Sequence, residues 1–197
     1  MKKIFLLCVL VVASLSLAKA QVQAPISMSW KDVATWKSMP NSGFKLSPDG
    51  QWMAYVLTGI ETDGELILQK VADPSSKKSF QIGNTSFASF EFSDNSQWLA
   101  FKEFPKFSEK QANEKAKGKP LKEKLHLIQL ASGDKKTFEG ISGFNFTGEA
   151  ATHLLLTLPK EGSGDAKGSD LLIHHLATGK SQNLGNIREH AVNKAGT

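Results

Sequence analysis

Cysteine is almost absent from this chain of 197 residues. The single one, Cys8, lies inside an N-terminal apolar stretch with no small-residue lipobox before it. A chain cut after that stretch carries no thiol, which excludes disulfides and cysteine catalysis. Long hydrophobic runs are also missing. Ile4 to Leu17 is the main one, at 14 residues, and a membrane-spanning helix needs about 20. No basic stripe with interleaved aromatics is present, so the sequence does not point to nucleic acid. No Gly-x-Ser-x-Gly nucleophile elbow occurs in a strand-turn-helix context.

The N-terminus reads as an export signal. Lys2 and Lys3 precede the apolar run, and Ala18-Lys19-Ala20 gives the small-x-small pattern of a cleavage site. Residues 1–20 are therefore expected to be a signal peptide, with Gln21 as the new N-terminus and no stable membrane span after cleavage. The competing reading is an uncleaved anchor. Losing Lys2, Lys3 and Lys19 lowers the formal charge from +5 to +2, and Pro105 to Lys124 holds seven Lys against three Glu.

The mature chain repeats itself. Phe44-Lys-Leu-Ser-Pro-Asp-Gly-Gln-Trp-Met-Ala-Tyr55 aligns with Phe90-Glu-Phe-Ser-Asp-Asn-Ser-Gln-Trp-Leu-Ala-Phe101 at an offset of 46 residues. A fainter copy begins at Phe144-Asn-Phe-Thr, with Thr152 expected at the tryptophan position. A second shared unit follows each copy: Glu65 to Val71, Leu125 to Gly133, and Leu171 to Gly179. Alternation at Phe44 and Leu46, Phe90 and Phe92, and Phe144 and Phe146 predicts strands with one packed face. Ser-Pro-Asp-Gly is a turn, because Pro presets φ and Gly tolerates positive φ. A buried second strand, a third strand and a short, polar fourth strand complete the unit.

Four antiparallel strands at this period predict an all-β partial β-propeller. A solenoid would need shorter periods, and a sandwich would not repeat the signature in register. The expected blades are 44–83, 90–140 and 144–185, with the start of a fourth over 187–197. The extension 21–43 is expected to hold a helix capped by Ser29, with Asp32 as capping partner and Trp30, Val33 and Trp36 on one face. It should run to about Met39, stop at Pro40 and plug against the first blade. His190, Val192 and Asn193 fall where a fourth copy would open. The sequence then ends inside a hairpin, the expectation being a fragment of a longer product or, alternatively, an oligomer that closes the ring between chains.

Leu46-Ser-Pro-Asp-Gly-Gln-Trp-Met-Ala-Tyr55 resembles the blade motif of TolB-type propellers and of the prolyl oligopeptidase family of serine peptidases. The export signal, the entry helix around Ser29 to Ser38, the Gly64-Glu65-Leu66 strand and the Lys-rich insertion are similar to the N-terminal region of exported bacterial members of that family. The resemblance implies a propeller that gates or docks peptides for an α/β-hydrolase domain, absent here, whose Ser-Asp-His triad would lie beyond residue 197. The alternative it implies is a periplasmic interaction module of TolB type.

The chain itself is expected to be non-catalytic, with no catalytic, cofactor-binding or metal residues. His174 and His175 are adjacent on a strand and point to opposite faces. His126, His153 and His190 stand isolated. Asp49, Asp94 and Asp134 occupy turn positions, and Gly162-Ser-Gly-Asp and Gly168-Ser-Asp read as flexible loop. Trp52 and Trp98 read as core. Phe104 to Lys124 in the second blade and Pro159 to Asp170 in the third insert between equivalent strands and so emerge on one rim. The first reads as a solvated charged loop, or as a surface that touches partners.

Overall fold

Turn chemistry sets the first hairpin of each blade. The Ser47 hydroxyl donates to Asp49 Oδ1 at 2.6 Å and accepts the Trp52 N–H at 2.9 Å. Ser93 repeats this with Asn95 Oδ1 at 2.7 Å and the Trp98 N–H at 2.9 Å. Thr147 supplies the hydroxyl in the third copy and accepts the His153 N–H at 3.0 Å. His153 therefore stands where the first two copies carry tryptophan, and the Thr152 expectation is corrected. The turn from Gly148 to Thr152 is one residue longer, which shifts the register.

The computed structural model describes residues 27–159, 168–193, 195 and 196. The expected signal peptide lies outside them, as does most of the Pro159 to Asp170 insertion. Twelve strands are described, all within the unit that begins at Lys31. The first sheet is β1 (Phe44–Leu46), β2 (Trp52–Leu57), β3 (Gly64–Lys70) and β4 (Asp73–Gly83). The second is β5 (Phe90–Phe92), β6 (Trp98–Glu103), β7 (Lys124–Gln129) and β8 (Lys135–Glu139). The third is β9 (Gly143–Phe146), β10 (His153–Leu158), β11 (Ser169–His175) and β12 (Ser181–Ile187). Strand order follows chain order in each, and all described pairings are antiparallel. The fold is a partial β-propeller of three four-stranded blades.

The core lies between blades. Ala54, Val56, Leu66, Leu68 and Ile82 of the first blade meet Phe90, Phe92, Leu99, Phe101 and Ile128 of the second. Ala100, Leu125 and Leu127 of the second blade then meet Leu154, Leu156 and Leu176 of the third, with Phe144 and Phe146 against them. Each fully buried Leu or Phe side chain contributes about 1.5–3 kcal/mol. Each aromatic pair on an opening strand thus packs on the preceding blade. Phe44 and Leu46 have no preceding blade among the described residues and are 48% and 52% exposed. Their expected packed face is accordingly open.

Further expectations are corrected. The entry helix, α1 (Trp30–Ala34), is one turn long, buries no residue and does not reach Met39. Thr35 and Trp36 close it with N–H bonds to Asp32 and Val33 carbonyls, and Ser38 then pairs with Thr58. Recruitment of Ser38 to the sheet competes with helix extension. The fourth strand of the first blade is not short: β4 has 11 residues. Residues 188–193 form no strand.

Candidate docking cleft on the insertion rim

An even number of strands per blade returns the chain to the rim it started from. Phe44 at the start of β1 lies opposite Tyr55 near the end of β2, and Gly64 at the start of β3 lies opposite Gly83 at the end of β4. Connections β2–β3, β4–β5 and β6–β7 therefore share one rim. Ser38 and Thr58 exchange N–H···O bonds of 2.8 and 2.9 Å there, fixing residues 36–40 beside the β2–β3 connection.

Asn84 ties these connections together. Its amide donates to the carbonyls of Ile60 and Thr62 at 3.2 and 3.0 Å, and its N–H donates to Pro105 at 3.0 Å. Gly83, just before it, has φ +67°, and an added Cβ would lie 1.8 Å from the Phe104 carbonyl oxygen. Only glycine permits the blades to approach so closely here.

The Lys-rich insertion is not a plain loop. It forms α2 (Phe107–Ala116). Asp63 accepts the Phe107 N–H at 2.8 Å, and Glu109 accepts the Lys106 N–H at 2.9 Å, satisfying donors that a helix start leaves unpaired. Lys110 donates to the Asn84 carbonyl, which docks the helix on the rim. Lys117 ends it in the left-handed region at φ 49°. The charge run hid the helix from sequence inspection, because α2 buries no side chain and has no apolar stripe.

Between α2 and the connections lies a cleft of about 1100 Å³. Trp36, Ile60, Phe87, Phe104, Phe107 and Leu121 form its apolar lining, and Thr85, Lys110, Glu114 and Glu123 are among its polar residues. Trp36, Ile60 and Phe87 are 59%, 77% and 55% exposed. Phe87 meets Phe104 edge to face, with centroids 5.2 Å apart. Glu123 pairs with Lys102 at 2.8 Å. These exposed apolar side chains, clustered in a concavity, make the cleft the candidate interaction surface. Sequence reading marked the insertion, assigned Trp36 to a helix face packed on the first blade, and missed Ile60 and Phe87, which lie on the β2–β3 and β4–β5 connections.

The residues singled out from sequence fall elsewhere. Buried His126 contacts Glu103 through Nε2 and Thr137 through Nδ1 at 2.5 and 2.9 Å. Burial lowers its pKa against the opposing hydrogen bond to Glu103. His174 takes the position that Ile128 holds in the second blade, each paired opposite a buried leucine. It is buried against Phe138 and bonds Ser181, and burial lowers its pKa to about 4. His153 and His175 stand opposite each other with ring centroids 4.7 Å apart and, with His190, line a cavity of about 510 Å³. Among the described residues no group of three or more His, Cys, Asp or Glu could hold a metal ion.

Asp49 and Asp134 sit in turns, where Asp49 accepts the Ser47 hydroxyl, its pKa lowered chiefly by that bond. Asp94 borders a separate small cavity with His190 and Asn193. Trp52 packs on the first interblade core beneath the Lys70 ammonium, and Trp98 packs on the second. No described helix is long and apolar enough to cross a membrane.

No protein-family model matches the chain, and no curated protein matches it. Solved structures similar to it include the beta-propeller domain of the Trilobed protease from Pyrococcus furiosus, at 16% identity and TM-score 0.48, covering 76% of this chain and 42% of that one. Pyrococcus horikoshii acylaminoacyl peptidase is similar at 14% identity and TM-score 0.49, covering 81% of this chain and 27% of that one. A structure from an analysis of two prolyl endopeptidases is similar at 15% identity and TM-score 0.41, covering 76% of this chain and 22% of that one. The chain thus spans less than half the length of each. These neighbours are prolyl oligopeptidase-family peptidases matched over their propellers, and this chain's own strand order makes it a partial β-propeller.

Proposed function

We propose that this chain is the propeller portion of an exported prolyl oligopeptidase-like serine peptidase, and that it docks and filters peptides for a hydrolase domain carried elsewhere in the polypeptide. The rim cleft is the observation that carries the docking role: its exposed aromatics face solvent in a concavity wide enough for a peptide side chain and its neighbours. Blade topology supports it. Each described blade starts and ends on this rim, so a domain linked before or after the propeller joins it on the rim that carries the cleft. The repeated Phe-x-(Leu/Phe)-Ser…Trp-x-Ala unit supports the family, and residues 1–20 support export.

The test reads the DNA beyond codon 197. Further blades followed by a Gly-x-Ser-x-Gly elbow support the peptidase. Further blades without an elbow favour the TolB-type interaction module instead. A fluorophosphonate probe should label the longer product and leave the purified 197-residue product unlabelled. Edman sequencing of exported material should begin at Gln21.

A further inference from the structure

We propose that the boundary between the second and third blades is an acid-opened joint: when His174 takes up a proton, the third blade parts from the second while the first and second stay together. The imidazole lies in that boundary. His174, on β11, is 2% exposed and meets Phe138 of β8 edge to face, with ring centroids 5.0 Å apart. Ser181 Oγ lies 2.8 Å from its Nδ1. Around it, Leu154 and Leu156 of the third blade pack against Ala100, Leu125 and Leu127 of the second.

Neighbouring charge makes a proton costly there. Lys136 donates across the same boundary to the Gly179 carbonyl at 3.2 Å, and its ammonium lies 5.4 Å from the Phe138 ring centroid. Protonation of His174 therefore sets two cations beside one ring. His175 on the same strand and His153 on β10 add further positive charge when protonated, and a backbone contact with Lys180 opposes them. Lys135 and Glu139 alternate to the other face of β8. Lys102 is engaged by Glu123 and the Ser142 carbonyl, and Asp170 by Asn183 and Asn186. Among the described residues no carboxylate is hydrogen-bonded or ion-paired to His174.

The boundary between the first and second blades differs. His126 is buried there against Phe101, whose ring meets Phe80 of the first blade at 5.4 Å. The Glu103 carboxylate contacts its Nε2 at 2.5 Å. A proton taken up by His126 finds its counter-charge in place, so acid loosens this boundary less. For His174, burial and then the Lys136 charge hold the pKa at about 4. Opening returns the imidazole to water and to its ordinary value of about 6.5. The open form then binds the proton more tightly, so its fraction should rise about twentyfold as pH falls from about 7 to about 5.

The experiment uses the matched alanines of the Trp-x-Ala repeat. Ala54 and Ala100 are both fully buried, Ala54 at the first boundary and Ala100 at the second. A54C and A100C are made separately in the whole chain with C8S, so that each protein carries one thiol. Labelling by 4,4′-dithiodipyridine is measured relative to a cysteine peptide at the same pH. A100C should label about twentyfold faster at about pH 5 than at about pH 7, and A54C about threefold faster or less. H174L should abolish the rise in A100C. K136E keeps the imidazole and supplies a carboxylate, so it should cut the rise to about fivefold or less, a result that stands even where H174L fails to fold.

Equal acceleration of A54C and A100C overturns the joint in favour of global unfolding. A flat A100C rate overturns it outright. Acceleration that survives H174L removes His174 as the trigger, and acceleration undiminished by K136E removes the charge that makes its proton costly; either result overturns the proposal.

Discussion

The Lys110 ammonium donates to the backbone carbonyl of Asn84, 26 residues earlier in the chain. Asn84 in turn bonds the β2–β3 connection and Pro105. Asn84 thus links α2 and two connections, its side-chain amide holding the β2–β3 connection and its backbone groups holding α2 and Pro105. Asn84→Ala removes its amide bonds and should cost about 1–3 kcal/mol. Hydrogen exchange should quicken over residues 58–63 before it changes in β6 or β7. Uniform quickening across all blades contradicts this local role.

Gly83→Ala places a methyl against the Phe104 carbonyl at a positive φ. Strain and overpacking together should cost about 2–5 kcal/mol. Thermal melting of the purified variant checks the loss. Gly50→Ala, also at positive φ but with nothing within 4 Å, should cost less. Equal losses at both sites would refute the close-approach argument.

Phe44 and Phe90 hold matching repeat positions and opposite burial. Phe90 is 4% exposed between blades and Phe44 is 48% exposed. Phe90→Ala should destabilise the chain by about 3–5 kcal/mol, and Phe44→Ala by about 0.5 kcal/mol or less. Urea denaturation measures both. Comparable losses would mean that the first blade's face is covered in solution.

Acid should destabilise the fold through His174. Its folded pKa of about 4 lies below the usual 6.5. Burial is the main cause, and the Lys136 charge is the next, with His175 and His153 adding to it. Between those values the unfolded chain binds a proton that the folded chain does not, so stability falls as pH drops from about 6.5 to about 4. The full loss is of order 3 kcal/mol. Burial depresses His126 and His153 in the same direction. His174→Leu should flatten the urea-midpoint profile across that window, and an unchanged slope excludes His174 as a principal group.

Local signals carried much of the fold. The Ser47 and Ser93 turns, closed on the Trp52 and Trp98 N–H groups, express contacts within a hairpin, and the alternation of Phe90 and Phe92 marks the packed face of a strand paired with its neighbour. The third copy was harder to place, because one extra turn residue moved His153 into the tryptophan site without changing the local pattern. The helix α2 was illegible because a polar helix without a buried face has no 3.6-residue apolar period to read. The cleft was illegible because Trp36 lies in the segment before β1, while Ile60 and Phe87 lie on two separate connections.

The sequence by itself determined the repeating four-stranded unit, since strand alternation and turn chemistry act between neighbours in the chain. Only the tertiary structure decided which matching faces are covered, as with buried Phe90 and open Phe44. It alone brought the cleft residues together and set His153 against His175. Those outcomes depend on which strand or connection lies alongside, a relation that no local period encodes.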